Sequence, residues 1–180
     1  MSERVKIVYE PDAENFNGVL FLLREPHTDE SPEDTLIGNK KWFYLVCDEE
    51  NRKTRQSARY YNRFCEMLSY VQEENPLHSA FTNLKLTGGG SIASKEYRKI
   101  SAEEKKSIID ALVDNIDGLQ FVFTCSDIFN SLDGFCSSTD NNGIKYKGKK
   151  QVQMRRRVYR DITFFEILHP SQSPKIYCDN

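Results

Sequence analysis

Five consecutive apolar residues, Val19–Leu23, stop abruptly at Arg24-Glu25-Pro26-His27. A run this short and this sharply closed suits a strand buried on both faces, as in a parallel sheet. Pro26 has no N–H to give a ladder and biases Glu25 towards extended backbone, so the strand ends there. Open α/β sheets bind ligands beyond the carboxyl ends of their strands. The stretch therefore delivers a cation, a carboxylate and an imidazole to that rim, or else it is an ordinary strand end with solvated charges.

The rest of the chain supplies partners for such a strand. Residues 5–9 form a strand-like lead-in stopped by Pro11, and residues 27–39, with Pro32 and Gly38, read as a polar loop. Apolar residues from Ala58 to Val71 recur at three- and four-residue spacing, which predicts a helix over 54–72 closed by Asn75-Pro76. Residues 79–84 and 119–124 read as further short strands. Between them Ser101-Ala102-Glu103-Glu104 opens a helix as a capping box. A short helix follows at 126–132, and residues 158–168 form the last strand, ending in His169-Pro170-Ser171. Strands alternating with helices predict a three-layer α/β/α sandwich around a four-stranded, mainly parallel sheet. The whole of 1–180 reads as one domain.

Charge and cysteine usage narrow the function classes. The chain carries 29% charged and 12% aromatic residues, a folded composition, and no apolar run approaches the roughly eighteen residues that cross a bilayer. Its opening residues lack the apolar core of a signal peptide, so a cytoplasmic protein with no membrane partner is expected. Five scattered cysteines make no C-x-x-C pair, which points to free thiols and away from zinc or iron–sulfur. The net charge of −2 conceals a basic excursion at about 140–160. Eight lysines and arginines, Arg155, Arg156 and Arg157 among them, lie between 145 and 160 without an acid, turning at Asn141-Asn142-Gly143. That segment is a candidate polyanion contact or a solvated hairpin.

Three strand ends, those carrying Glu25 and His27, Asn83, and His169, converge on one rim if the strands run parallel. A carboxylate to activate water, an imidazole to stabilise a developing anion and an amide to read a polar edge together suit a heterocycle. Trp42 and Phe43 pack in the core or offer a stacking face. Gly88-Gly89-Gly90-Ser91 is a flexible loop or a phosphate cradle of exposed amides.

This arrangement resembles the uracil-DNA glycosylase superfamily. Leu23-Arg24-Glu25-Pro26-His27 aligns with its first motif on the proline, and Asn83-Leu84-Lys85-Leu86-Thr87 matches its N-x-x-L-T pattern. His169-Pro170-Ser171 matches its last motif, so three short motifs occur in order across 19–171. Leu23 replaces the leading glycine, and Glu25 stands where the family has a shorter residue. The resemblance implies the same α/β/α fold and hydrolysis of the N-glycosidic bond of uracil or a related damaged base in DNA. It implies that Glu25 handles the water, that His169 bonds the uracil O2, that Asn83 reads the base and that His27 lines the pocket. Ser171 would grip a phosphate, with Gly89 and Ser91 as a second contact. The target base would be flipped out of DNA towards a basic surface such as Arg155–Arg157. No cofactor and no metal is implied, and the expected protein is a monomer, cytoplasmic or nucleoid-associated. The alternative is a catalytically inactive nucleic-acid-binding or regulatory protein on the same fold.

Overall fold

The computed structural model describes residues 6–24, 32–48, 55–86, 95–144 and 154–167. Strand β1 is Val19–Leu23, and every residue of it is buried. It is followed by α1 (Pro32–Cys47), α2 (Arg55–Ser69) and a single 3₁₀ turn at Pro76–His78. Then come β2 (Ala80–Asn83), α3 (Lys95–Lys99), α4 (Ala102–Asn115), β3 (Phe121–Cys125) and α5 (Ser126–Asn130). These are followed by β4 (Ser138–Ile144), β5 (Met154–Tyr159) and β6 (Ile162–Ile167).

Among the described residues the sheet has six strands in the order β2-β1-β3-β6-β5-β4, so the expected four-stranded sheet is corrected to a larger, mixed one. β2, β1, β3 and β6 run parallel. β5 and β4 extend that set with antiparallel pairing. The physical reason lies at Arg160-Asp161. Both have positive φ, 50° and 64°, and Tyr159 pairs with Ile162 across them. That is the two-residue turn whose twist suits a hairpin. The single strand expected over 158–168 is therefore divided: Val158 and Tyr159 end β5, and Ile162–Ile167 form β6. The turn expected at Asn141–Gly143 instead lies within β4, where the register with β5 shifts between Asp140 and Ile144.

Residues 32–39, expected as loop, belong to α1. Pro32 is the first helical residue, where a missing N–H costs nothing and a fixed φ favours the helix, so it starts the helix it seemed to forbid. The capping box of α4 is present in full: Ser101 Oγ accepts from the Glu104 N–H at 3.1 Å, and Glu104 Oε2 accepts from the Ser101 N–H at 2.8 Å.

Side chains alternate along each strand and build two cores, one on each face of the sheet. On one face Phe81, Phe21, Phe123 and Phe165 stand in register across the four parallel strands. Phe123 stacks on Phe165 at 4.9 Å, while Phe64 of α2 packs on Phe21 at 4.5 Å. On the other face Leu20, Leu22, Val122 and Phe164 meet Ile109 and Leu112 of α4 and Ile128 and Phe129 of α5. Helices thus cover both faces, in three layers. The crossover from β1 to β2 uses the first face, and the return to β3 uses the second. Reversing direction and changing face together keep one handedness for both.

At the outer edge of β2 the lead-in is held by two backbone bonds, Tyr9 N–H to Phe81 O at 2.9 Å and Phe81 N–H to Tyr9 O at 2.8 Å. The Tyr9 hydroxyl donates to Leu77 O at 2.9 Å and pins the segment further. No described helix is long and apolar enough to cross a membrane.

Candidate functional site

The carboxyl ends of the four parallel strands form one rim. Leu23 is in register with Asn83, Leu22 with Thr124, and Cys125 with Ile167. Adjacent strands lie about 4.8 Å apart, so the ends of β1 and β6, with β3 between them, are separated by about 10 Å. The sheet grows from β1 to β2 on one side and then to β3 on the other. The switch point is therefore the crevice between β1 and β3.

Arg24 leaves the end of β1 and Asp127 stands in the first turn after β3, and they meet across that crevice. Arg24 Nε donates to Asp127 Oδ1 at 2.6 Å. The other carboxylate oxygen accepts from the Tyr97 hydroxyl at 2.6 Å and from Lys105 Nζ at 3.2 Å. Lys105 also lies over the Tyr97 ring, 5.0 Å from its centroid. Burial works against charge on Asp127, but the hydrogen bonds from Tyr97 and Arg24, with the charges of Arg24 and Lys105, outweigh it and hold the carboxyl below its ordinary range. Burial, followed by the neighbouring Asp127, pushes the Tyr97 hydroxyl well up, so it stays protonated and donates. Burial likewise pushes the Cys125 thiol up to about 12, which leaves it an inert neutral group at the rim.

A second ion pair stands on the rim at β6. Arg155 Nε and Nη2 donate to the two oxygens of Glu166, at 2.5 and 2.8 Å, and Nη2 also reaches Asn130 Oδ1 at 2.8 Å. Burial disfavours the Glu166 carboxylate, yet bonds from Arg155 and Ser126 bring its pKa below the ordinary value. Arg157 is more deeply committed. It is 6% exposed, donates to Phe129 O at 2.8 Å, pairs with Asp133, and lies 4.3 Å from the Phe129 ring centroid. Of the three arginines expected to face a polyanion, Arg157 is thus committed inside the protein, Arg155 is ion-paired with its side chain 31% exposed, and Arg156 is exposed.

The other expected site residues divide by location. Asn83 ends β2 on the rim and is 4% exposed. Phe43 sits in the core, fully buried and stacked on Phe81 at 4.7 Å with planes 5° apart, so its ring faces are occupied. Trp42 is half-buried against Tyr60 and Phe81 on the same side. Glu25, His27, Gly89, Ser91, His169 and Ser171 lie outside the described residues. Leu23 turns its side chain into the core with Phe21 and Phe64.

Asp127 escaped the sequence reading although its signal was available. It stands three residues beyond the apolar run 119–124, as Arg24 stands directly beyond Val19–Leu23. Tyr97 and Lys105 arrive from α3 and α4 and carry no local signal. Among the described residues no group of three or more His, Cys, Asp or Glu side chains is placed to hold a metal ion. The chain matches no protein-family model, no curated protein and no solved structure.

Proposed function

We propose that the rim is a base-binding site and that the protein hydrolyses the N-glycosidic bond of uracil or a related damaged base in DNA. The observation that carries this reading is the shared rim. Asn83 lies on it, β1 leads into Glu25-Pro26-His27 two residues beyond Leu23, and β6 leads into His169-Pro170-Ser171 two residues beyond Ile167. The motifs that resemble the uracil-DNA glycosylase superfamily thus follow, in sequence, three strands of one parallel set, β2, β1 and β6, with β3 between the last two.

Cleaving this bond passes through an oxocarbenium-like sugar and an anionic base, so opposite charges are needed at its two ends. In this reading Glu25 orients the attacking water beneath the sugar. His169 donates to the base oxygen as negative charge develops, and the Asn83 amide pairs with the base's polar edge. His27 bounds the pocket, while Ser171, Gly89 and Ser91 hold phosphates of the strand. DNA is the partner, with the base flipped out of its stack.

A single-turnover incubation with a uracil-containing oligonucleotide, followed by alkali, tests the reading by strand cleavage. His169→Ala and Glu25→Gln should each slow cleavage by about 10²–10⁴-fold. Intact strand from the wild type across several damaged bases retires the enzyme. The second reading, a protein that binds nucleic acid without hydrolysing it, is favoured by Leu23, whose Cβ bars the backbone approach a glycine permits. Strand binding without cleavage is its signature.

A further inference from the structure

We infer that Arg24 is a phosphate-binding residue, oriented by Asp127 to receive a phosphodiester of the DNA strand at the crevice between β1 and β3. The inference rests on the reading above and adds to it a contact that none of the resemblant motifs assigns.

Three observations carry it. First, Arg24 and Asp127 stand at the switch point of the sheet, where the chain after β1 and the chain after β3 pack on opposite faces. Second, only the Nε edge of the guanidinium is taken by Asp127, and the side chain remains 32% exposed. The opposite edge, Nη1 with Nη2, has the planar two-donor geometry that matches a phosphate. Third, the cluster carries one surplus positive charge. Asp127 is shared by Arg24 and Lys105, and its third donor, Tyr97, is neutral. A carboxylate saturated by three donors from three elements is a rigid mount. It fixes the direction of the arginine before any ligand arrives, which reduces the ordering cost of binding.

The alternative role for these four residues is purely structural, a strap between β1, α3, α4 and α5. Binding separates the two, because a strap does not sense salt or phosphate. The probes are a short single-stranded oligonucleotide without terminal phosphates, followed by fluorescence anisotropy over a range of salt concentrations, and dUMP as the free nucleotide. With Arg24→Ala the oligonucleotide affinity should fall about tenfold at physiological salt, and the slope of log K against log salt should shrink by about one. Arg24→Lys keeps the charge beside Asp127 and loses the fork, so the slope should persist while affinity drops severalfold. This second variant carries the test if the alanine variant fails to fold. Unchanged affinity in Arg24→Lys, or unchanged affinity and slope in Arg24→Ala, overturns the inference. So does a wild type that binds no strand, and so does an Arg24 effect confined to dUMP, which would assign the site to a free nucleotide. Arg24-dependent strand binding without uracil cleavage leaves the phosphate site standing and retires the glycosylase. Uracil cleavage with Arg24→Ala unaltered in binding does the reverse.

Discussion

Arg24 Nε meets Asp127 Oδ1 at 2.6 Å across the line where the sheet reverses its direction of growth. The pair joins residues 103 apart in sequence and ties the ends of two central strands together. Its charge state sets a pH dependence. The Asp127 carboxyl is held low in the folded protein, so its stabilisation is complete above the ordinary carboxylate range near pH 4 and is lost as pH falls through the lowered value. Asp127→Asn should cost about 1–2 kcal/mol at neutral pH. Urea unfolding at pH 7 and at pH 3 should show the gap from wild type shrinking at the lower pH. An equal gap at both contradicts the charged pair.

Glu66 predicts the opposite trend. Burial raises its carboxyl to about 7, against the pull of Arg63. A raised acid favours the neutral form in the fold, so stability falls as pH climbs from the ordinary glutamate range to about 7. Glu66→Gln should therefore match wild type near pH 4 and exceed it at pH 8. The gain, reduced by solvent screening of a half-exposed group, is about 1 kcal/mol, or about 2–4 °C in Tm. Thermal unfolding at the two pH values decides it.

Phe43 stacks on Phe81 and contacts Phe64 and Tyr9, with no exposed surface. Phe43→Leu should lower unfolding stability by about 1–3 kcal/mol through lost ring contact. Oligonucleotide affinity below the melting range should not change. A selective loss of affinity without loss of stability would return Phe43 to the ligand.

Asp161 occupies the second position of the Arg160-Asp161 turn with φ of 64°. Left-handed backbone costs an L-residue about 1 kcal/mol that glycine avoids, and a turn of this kind favours glycine there. Asp161→Gly should raise stability by about 0.5–1 kcal/mol, reduced somewhat by the greater freedom of glycine in the unfolded chain. Denaturant midpoints measure it, and a loss of stability would mean the aspartate side chain sustains the turn.

The parallel strands were legible because Val19–Leu23, residues 79–84 and residues 119–124 are compact apolar runs with sharp ends. Their partners at a distance were not. One phenylalanine per parallel strand, Phe81, Phe21, Phe123 and Phe165, forms a ladder only once register is known. Pro32 misled because the same missing N–H that breaks a helix interior is harmless at its first residue. No glycine or asparagine announces the turn at Arg160-Asp161, so the expected last strand runs from Val158 straight through it. At the rim, Asn83 could be found from its strand end. The charged cluster depends on Tyr97 and Lys105, which tertiary packing alone brings to Asp127. The basic run was read as surface, yet Arg157 is buried, because Asp133 and the Phe129 carbonyl lie where β5 passes α5.

The bridge between Tyr9 and Phe81 has a consequence for solubility. β2 is an outermost strand of wholly buried residues, and an unguarded strand of that kind is a template for another molecule's sheet. The lead-in occupies the outward N–H and C=O of Phe81, and the Thr82 hydroxyl is tethered to Lys6 O at 3.1 Å. Residues 6–9 thus act as a guard rail, and a chain cut after them would expose a ready seed for intermolecular aggregation along β2.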